Sequence, residues 1–579
     1  MNTKENFAKP VLYASMLGFI SFVIYIFCIN REVFFTAQDR SEFLYGSQFF
    51  NTLMTRPFGL TQYAAAWLTQ FFYHPIWGTA ILGAIWALTF VIGKAAFRLH
   101  GAASALMLLP IACLLTSVVD LGYWIYFFTI RGYWFSQSLG YLAMVTLLWA
   151  ASCTPRKWHI VWYVLGVVLY PVLGWFAMLF VICLVLSDKL SNNEIVAIIL
   201  LFVTANIWHA LLYTTMNIKD VLLAGFPILE TPSDKSEILS LPFWLLGAIT
   251  ILIPLCNKYA SKWYIPVCCA IAGMALTWSM MFKDKNYIDE MRMARATESD
   301  NWKEVLDIFT EVKEPTLSMI ALKNLALMYD GGILDRSFKM GNEFIDTYNP
   351  DGIHISFLEI ASPLAYYNYG MINEGFRLSF ECAIQSGFSP FYLRMLARCA
   401  KANGEEALVQ RYTAQLQGHP FYTDWRPSPM SDKTLALKNS YLNELTGVEN
   451  SYSYIVNEIS LWHLSDNKYA AEQALFFSMI RCDSKRFWAS IRKYAKTHMN
   501  EEVPVHAQEA YILYFDKAPE AKRIMIPVKE DIYERYKDFW TNLENLASSG
   551  MNPNEIPGIM KQNFGDTYWW FNIFGRKVH

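Results

Sequence analysis

Charged residues are scarce in the first half of this chain. Lysine and arginine number 48 and aspartate and glutamate 50 in 579 residues, yet only 15 and 11 of them precede Lys283. So apolar a half excludes an ordinary soluble domain, intrinsic disorder and a basic nucleic-acid-binding surface, so no nucleic-acid partner is expected. The 33 basic and 39 acidic residues that follow exclude a chain lying wholly within a bilayer. Cysteine shows no pairing pattern. Seven of the ten (Cys28, Cys113, Cys153, Cys183, Cys256, Cys268, Cys269) lie in apolar stretches, and Cys382, Cys399 and Cys482 form an odd set without CxxC spacing. That excludes a disulfide framework and gives no zinc site. His74 and His209 have no second histidine at metal spacing. There is no phosphate-cradling glycine loop, no HExxH, no GxSxG elbow and no nucleotide-binding domain to power a pump. No cofactor is indicated, and any chemistry here needs an activated substrate supplied by the membrane.

What is present is a series of apolar runs. Lys4 and Lys9 precede an uncharged stretch of 19 residues, Val11 to Ile29, which exits into Asn30-Arg31-Glu32 without a cleavage site and so reads as a signal anchor. Further runs fall at Ile76 to Phe97, Ala103 to Val119, Leu139 to Ser152, Trp158 to Ser187, Glu194 to Leu212, Leu241 to Cys256 and Trp263 to Phe282. Basic residues gather at Lys94 and Arg98, Arg156 and Lys157, Lys189, and Lys258 and Lys262. Placing all of them in the cytoplasm with the N-terminus requires Trp158 to Ser187 to be a hairpin bent near Tyr170-Pro171, and the count becomes about nine spans. The protein is then a multi-pass protein of the plasma (inner) membrane. Residues 30–75, the loops at 120–138 and 213–239, and everything from 283 to 579 lie outside. The apolar but glutamine-punctuated segment Phe58 to Tyr73 reads as a helix at the interface.

From Lys283 the pattern is helical throughout, so the fold class is all-α: a polytopic membrane domain, residues 1–282, followed by an extracytoplasmic helical-repeat domain, residues 283–579. Small-residue pairs recur at Leu325-Ala326, Leu364-Ala365, Leu396-Ala397, Ala474-Leu475 and Ala510-Tyr511, near the ~34-residue period of tetratricopeptide hairpins, with turns at Asp330-Gly331-Gly332, Tyr369-Gly370 and Asn403-Gly404. This predicts an α-helical solenoid of tetratricopeptide-like repeats, broken near 423–432, with the aromatic tail Tyr568 to Phe571 sealing its last repeat.

Ionisable residues beside a bilayer are costly unless solvated or paired, which makes those in the external loops the candidate site. The first loop carries Asp39, Arg40, Glu42 and Arg56; Asp39 and Glu42 stand at i and i+3 and would share a helix face. A carboxylate held there can act as general base towards an acceptor hydroxyl while an arginine binds a phosphate; a surface ion cluster or a helix cap is the plainer reading. The second loop offers Asp120 and Arg131 among aromatic residues, either facing an anionic lipid-linked group or snorkelling in an aromatic belt. Lys219, Asp220 and Glu230 in the fourth are either further ligands or a solvated loop.

A cytoplasmic N-terminus, a first span, a long first loop with the early acid Asp39 and an interfacial helix, many short spans and an external C-terminal domain together resemble the C-type (GT-C) glycosyltransferases over Val11 to Phe282. The resemblance implies inverting transfer of a sugar from a polyprenyl-phosphate donor, with Asp39 matching the family's first-loop base and Arg131, Arg56 or Lys219 steadying the departing phosphate. It also implies a protein or glycan acceptor held by the repeats, and leaves room for a divalent cation. The family's paired acidic motif is replaced here by Asp39-Arg40. Two other classes fit the same residues: a non-enzymatic, membrane-anchored helical-repeat scaffold of the cell envelope, and a lipid or solute transporter.

Overall fold

The computed structural model describes residues 3–575 apart from 128–129, 188–191, 228–236, 258–259, 261, 349–351, 353, 356–359, 441–450, 462–464 and 516–523. Among these the regular structure is helical, save for one antiparallel pair of two-residue strands, Thr347–Tyr348 with His354–Ile355. Lys189, Glu230 and Lys258 lie outside the described residues.

Among the described residues, three helices are long and apolar enough to cross a membrane: Lys9–Ile29, Pro75–Ala96 and Glu194–Leu211. A fourth crossing is reached if Ile265–Met280 and Lys285–Glu298, bent by 66° at their break, count as one. The expected nine are therefore not found, and the reason is local. A helix rises 1.5 Å per residue and needs about 20 residues for a hydrocarbon layer of about 30 Å. The apolar helices Gly101–Thr116 and Trp175–Ser187 fall short of that length. The run from Trp158 divides into His159–Val168, Tyr170–Leu173 and Trp175–Ser187, with Gly174 at φ +55 making the break. A side chain at Gly166 would strike Phe180 and Val181, so the two arms fold back on each other as the hairpin expected around Pro171 does. Proline at the first position of Pro75–Ala96, where a helix has no use for the N–H, sets the start of the second long helix.

The first loop is itself helical: Arg31–Asp39, Ser47–Met54 and Gly59–Thr69, the last extended by a 3-10 turn to Tyr73. Gly59–Thr69 lies tightly on Tyr133–Ser152. At Gly132, φ +70, an added Cβ would stand 2.4 Å from the Gln62 carbonyl, so only glycine allows this approach.

Beyond Asp284, whose side chain caps Lys285–Glu298 by accepting from the Asn286 N–H, antiparallel helix pairs follow one another. Pro390–Asn403 packs on Glu406–Gln417, and Lys468–Ile480 on Ser484–Thr497. Asn467 and Asp483 cap the latter two helices through their own side chains. Leu325, Ala326, Leu364, Ala365, Leu396, Ala397, Ala474, Leu475 and Ala510, picked out by their spacing, are all buried. The break at 423–432 is an irregular segment leading into Asp432–Ser440. The aromatic tail does seal the array: Tyr568, Trp569, Trp570 and Phe571 are buried, and Phe338 packs at 5.2 Å on Tyr568 and 5.1 Å on Phe571. The last helix thus closes onto the first third of the array.

Candidate functional site

The first loop and the helical array meet through buried charge. Asp39, the last residue of Arg31–Asp39, receives two parallel hydrogen bonds from Arg394, at 2.8 and 3.0 Å. The same guanidinium donates to both oxygens of Glu298, at 2.6 and 2.8 Å, and at 3.1 Å to the Tyr422 hydroxyl. Arg394 and Asp39 are each 6% exposed, so their pairing is shielded from water, while Glu298 stands at its half-buried edge. Burial alone would push the Glu298 carboxyl up, but Arg394 against it prevails and holds it below the usual carboxylate range. For Arg394, burial favours loss of the proton, yet Asp39 and Glu298 together raise its pKa well above the ordinary value. Arg40, next in sequence, lies 3.7 Å over the Phe391 ring and within about 5 Å of Tyr126 and Tyr392. Asp39, the expected general base, is paired with Arg394 and so ties the first loop to the helices that follow residue 283. The fork-to-fork arginine takes one lone pair on each carboxylate oxygen, and the Tyr422 hydroxyl lies 3.4 Å from one of them.

Glu42 is placed differently. Its carboxylate accepts from Arg131 Nε at 2.6 Å and from the Phe388 backbone N–H at 3.3 Å. Gly387, at φ +101, lets it in: a Cβ there would lie 2.8 Å from that of Glu42. Glu42 and Arg131 form one edge of a cleft of about 890 Å³ between the first loop and the array. The first loop supplies Leu44 to Phe49 with Thr52 to its wall, and the helices after residue 283 supply Phe376, Phe380, Phe388, Arg411, Tyr412 and Gln415. Two of the sequence candidates therefore converge here, from residues 89 apart in the chain.

The others do not. Arg56 and Lys219 are exposed and away from the cleft lining. Asp120 is 3% exposed, with neither carboxylate oxygen hydrogen-bonded among the described residues, and burial pushes its carboxyl well above the usual range. The cleft offers a divalent cation a single carboxylate that already faces a guanidinium, so its donors do not fit a metal. No group of three or more histidine, cysteine, aspartate or glutamate side chains could hold one among the described residues. Sequence reasoning passed over Arg394, Glu298, Tyr422 and Arg411. Arg394 did carry a signal: it is a lone charge within Phe391 to Ala397, an otherwise uncharged and largely apolar helical run.

These features define a class, a nearly all-α protein with three or four helices apolar enough to cross a membrane and, clamped to the segment after the first of them, a set of packed helices. The chain belongs to DUF6057, a family of unknown function, which it matches over residues 7–575. No curated protein and no solved structure matches it.

Proposed function

We propose that the protein is a multi-pass plasma-membrane glycosyltransferase of GT-C-like design, with its array on the extracytoplasmic side. In this reading it transfers a sugar from a polyprenyl-phosphate donor, and the junction cleft is its working site. The observation that supports this is the meeting of Glu42 and Arg131 at 2.6 Å on the edge of a large aromatic cleft. Glu42 takes the proton of an acceptor hydroxyl, whose oxygen attacks the anomeric carbon. The bond from that carbon to the phosphate oxygen breaks, and its electron pair stays on the lipid phosphate facing Arg131. Binding of a phosphate by Arg131 frees Glu42 from its resting ion pair, so donor binding readies the base. Asp39, matched by position to the family's base, acts in this scheme only by fixing the loop on which Glu42 sits.

The test uses membranes bearing the protein, supplied with polyprenyl-phosphate-linked [¹⁴C]glucose or mannose. Label entering non-lipid material should fall about 100-fold in Glu42→Gln, the scale of a lost general base, while the thermal midpoint stays near that of the wild type. Undiminished transfer removes Glu42 from the chemistry. A second reading, the non-enzymatic scaffold, is favoured by the complete engagement of Asp39 with Arg394. It predicts that Glu42→Gln is silent, while deletion of residues 283–579 abolishes all function.

A further inference from the structure

The cleft holds a second cation for which the transfer scheme has no use. Arg411 is exposed on Glu406–Gln417 and lines the array wall. Glu42 is the one carboxylate in the lining, and it already serves Arg131 and the Phe388 N–H. Arg411 makes no ion pair among the described residues, so the cleft carries one unbalanced positive charge, on the side away from the first loop.

The surface around that charge has a definite chemistry. Phe376 and Phe380 lie with ring planes 7° apart and centroids 6.3 Å apart. Phe388 adjoins Phe380 at 6.1 Å, and Tyr412 adjoins Phe376 at 6.2 Å. This makes a broad apolar platform. The same cleft is lined by Ser47, Gln48 and Thr52 from the first loop and by Gln415 beside the rings, residues that bear hydroxyl and amide groups. A platform of rings suits the C–H face of a pyranose, the amides and hydroxyls suit its hydroxyl groups, and a guanidinium suits an oxyanion by paired hydrogen bonds. The volume is that of a site for a few sugar rings rather than a folded partner.

We propose that the acceptor bound in this cleft is an acidic carbohydrate, whose carboxylate or phosphate ester pairs with Arg411. The inference rests on the cleft being the transfer site, and it adds the class of molecule that receives the sugar. The phosphate of the donor goes to Arg131; the charge read by Arg411 belongs to the other substrate.

Binding to the full-length protein in lipid nanodiscs tests this with three probes: oligogalacturonate, a phosphorylated oligomannose and neutral oligogalactose. At least one of the two acidic probes should bind more tightly than the neutral one. Arg411→Gln should weaken that acidic probe about 10-fold, the loss of one charge-assisted contact, and leave the neutral one unchanged; Arg411→Lys should restore part of the loss. Whichever acidic probe responds identifies the anion as carboxylate or phosphate. Equal binding of neutral and acidic probes, no response to Arg411→Gln, or no binding of any probe overturns the proposal. Transfer that needs Glu42 but uses a neutral acceptor would overturn it while leaving the transfer reading intact.

Discussion

Replacing Arg394 with alanine should destabilise the protein by about 3–5 kcal/mol, the usual cost of removing one partner from a buried ion network. The cost comes from what is left behind. Asp39 and Glu298 would remain largely shielded from water, each having lost two charge-assisted hydrogen bonds, with Arg398 and Arg40 the cations left near Glu298. Because Asp39 belongs to the first loop, Glu298 to the helix following the last apolar span and Arg394 to the array, the variant should also loosen the junction. Limited proteolysis should then cut between residues 40 and 47 faster, and the thermal midpoint in detergent should drop. Removing the charges together, as Asp39→Asn with Glu298→Gln and Arg394→Met, should cost far less than Arg394→Ala alone, since no unpaired ion remains. An Arg394→Ala variant within about 1 kcal/mol of the wild type would mean that water reaches the network.

The second large effect concerns Glu290, which is fully buried and accepts from the Tyr123 hydroxyl at 2.6 Å and from the Thr316 hydroxyl. Burial drives its pKa up, opposed by those two hydrogen bonds and aided by Asp284, to about 7. The folded protein therefore keeps this proton up to about pH 7, whereas an unfolded glutamate releases it near its ordinary value of 4.5. Between those pH values the folded state binds more protons, so stability falls as pH rises through the window. At about 1.4 kcal/mol for each pH unit, the loss is about 3 kcal/mol across it. Denaturant unfolding of the wild type and of Glu290→Gln at pH 5 and 7.5 isolates this contribution: the wild type should lose about 2 kcal/mol relative to the variant. Parallel pH profiles would show that Glu290 is ionised in the folded protein.

How much of this was legible in the residues depended on whether the signal was local. The helical class, the long apolar helix ending at Ile29 and the buried small-residue pairs follow from composition and period, and those are properties of neighbouring residues. The nine-span count failed because an apolar run fixes burial but not helix length: Gly174, and the 3-10 start at Gly101, shorten helices that hydropathy alone leaves continuous. The site divides the same way. Glu42 and Arg131 could be chosen because charge beside apolar sequence demands a partner, yet their pairing spans the chain. Both acids are buried, and what sets them apart is the partner each meets: Arg394, 355 residues away, for Asp39, and Arg131 on the lining of the cleft for Glu42. No short-range pattern distinguishes the two acids of the first loop; the docked array does.

Tyr45 and Gly418 give the most direct measurement of that docking. They face each other across the cleft, and a Cβ at Gly418 would lie 3.9 Å from that of Tyr45, within the span of a disulfide. In native membranes under mild oxidation, the Tyr45→Cys/Gly418→Cys double variant should form a bond between the first loop and the array, identified as a single linked peptide by mass. If the pair stays reduced while an oxidisable control pair within the array closes, the loop and the array are not joined, and the clamp and the cleft fall together.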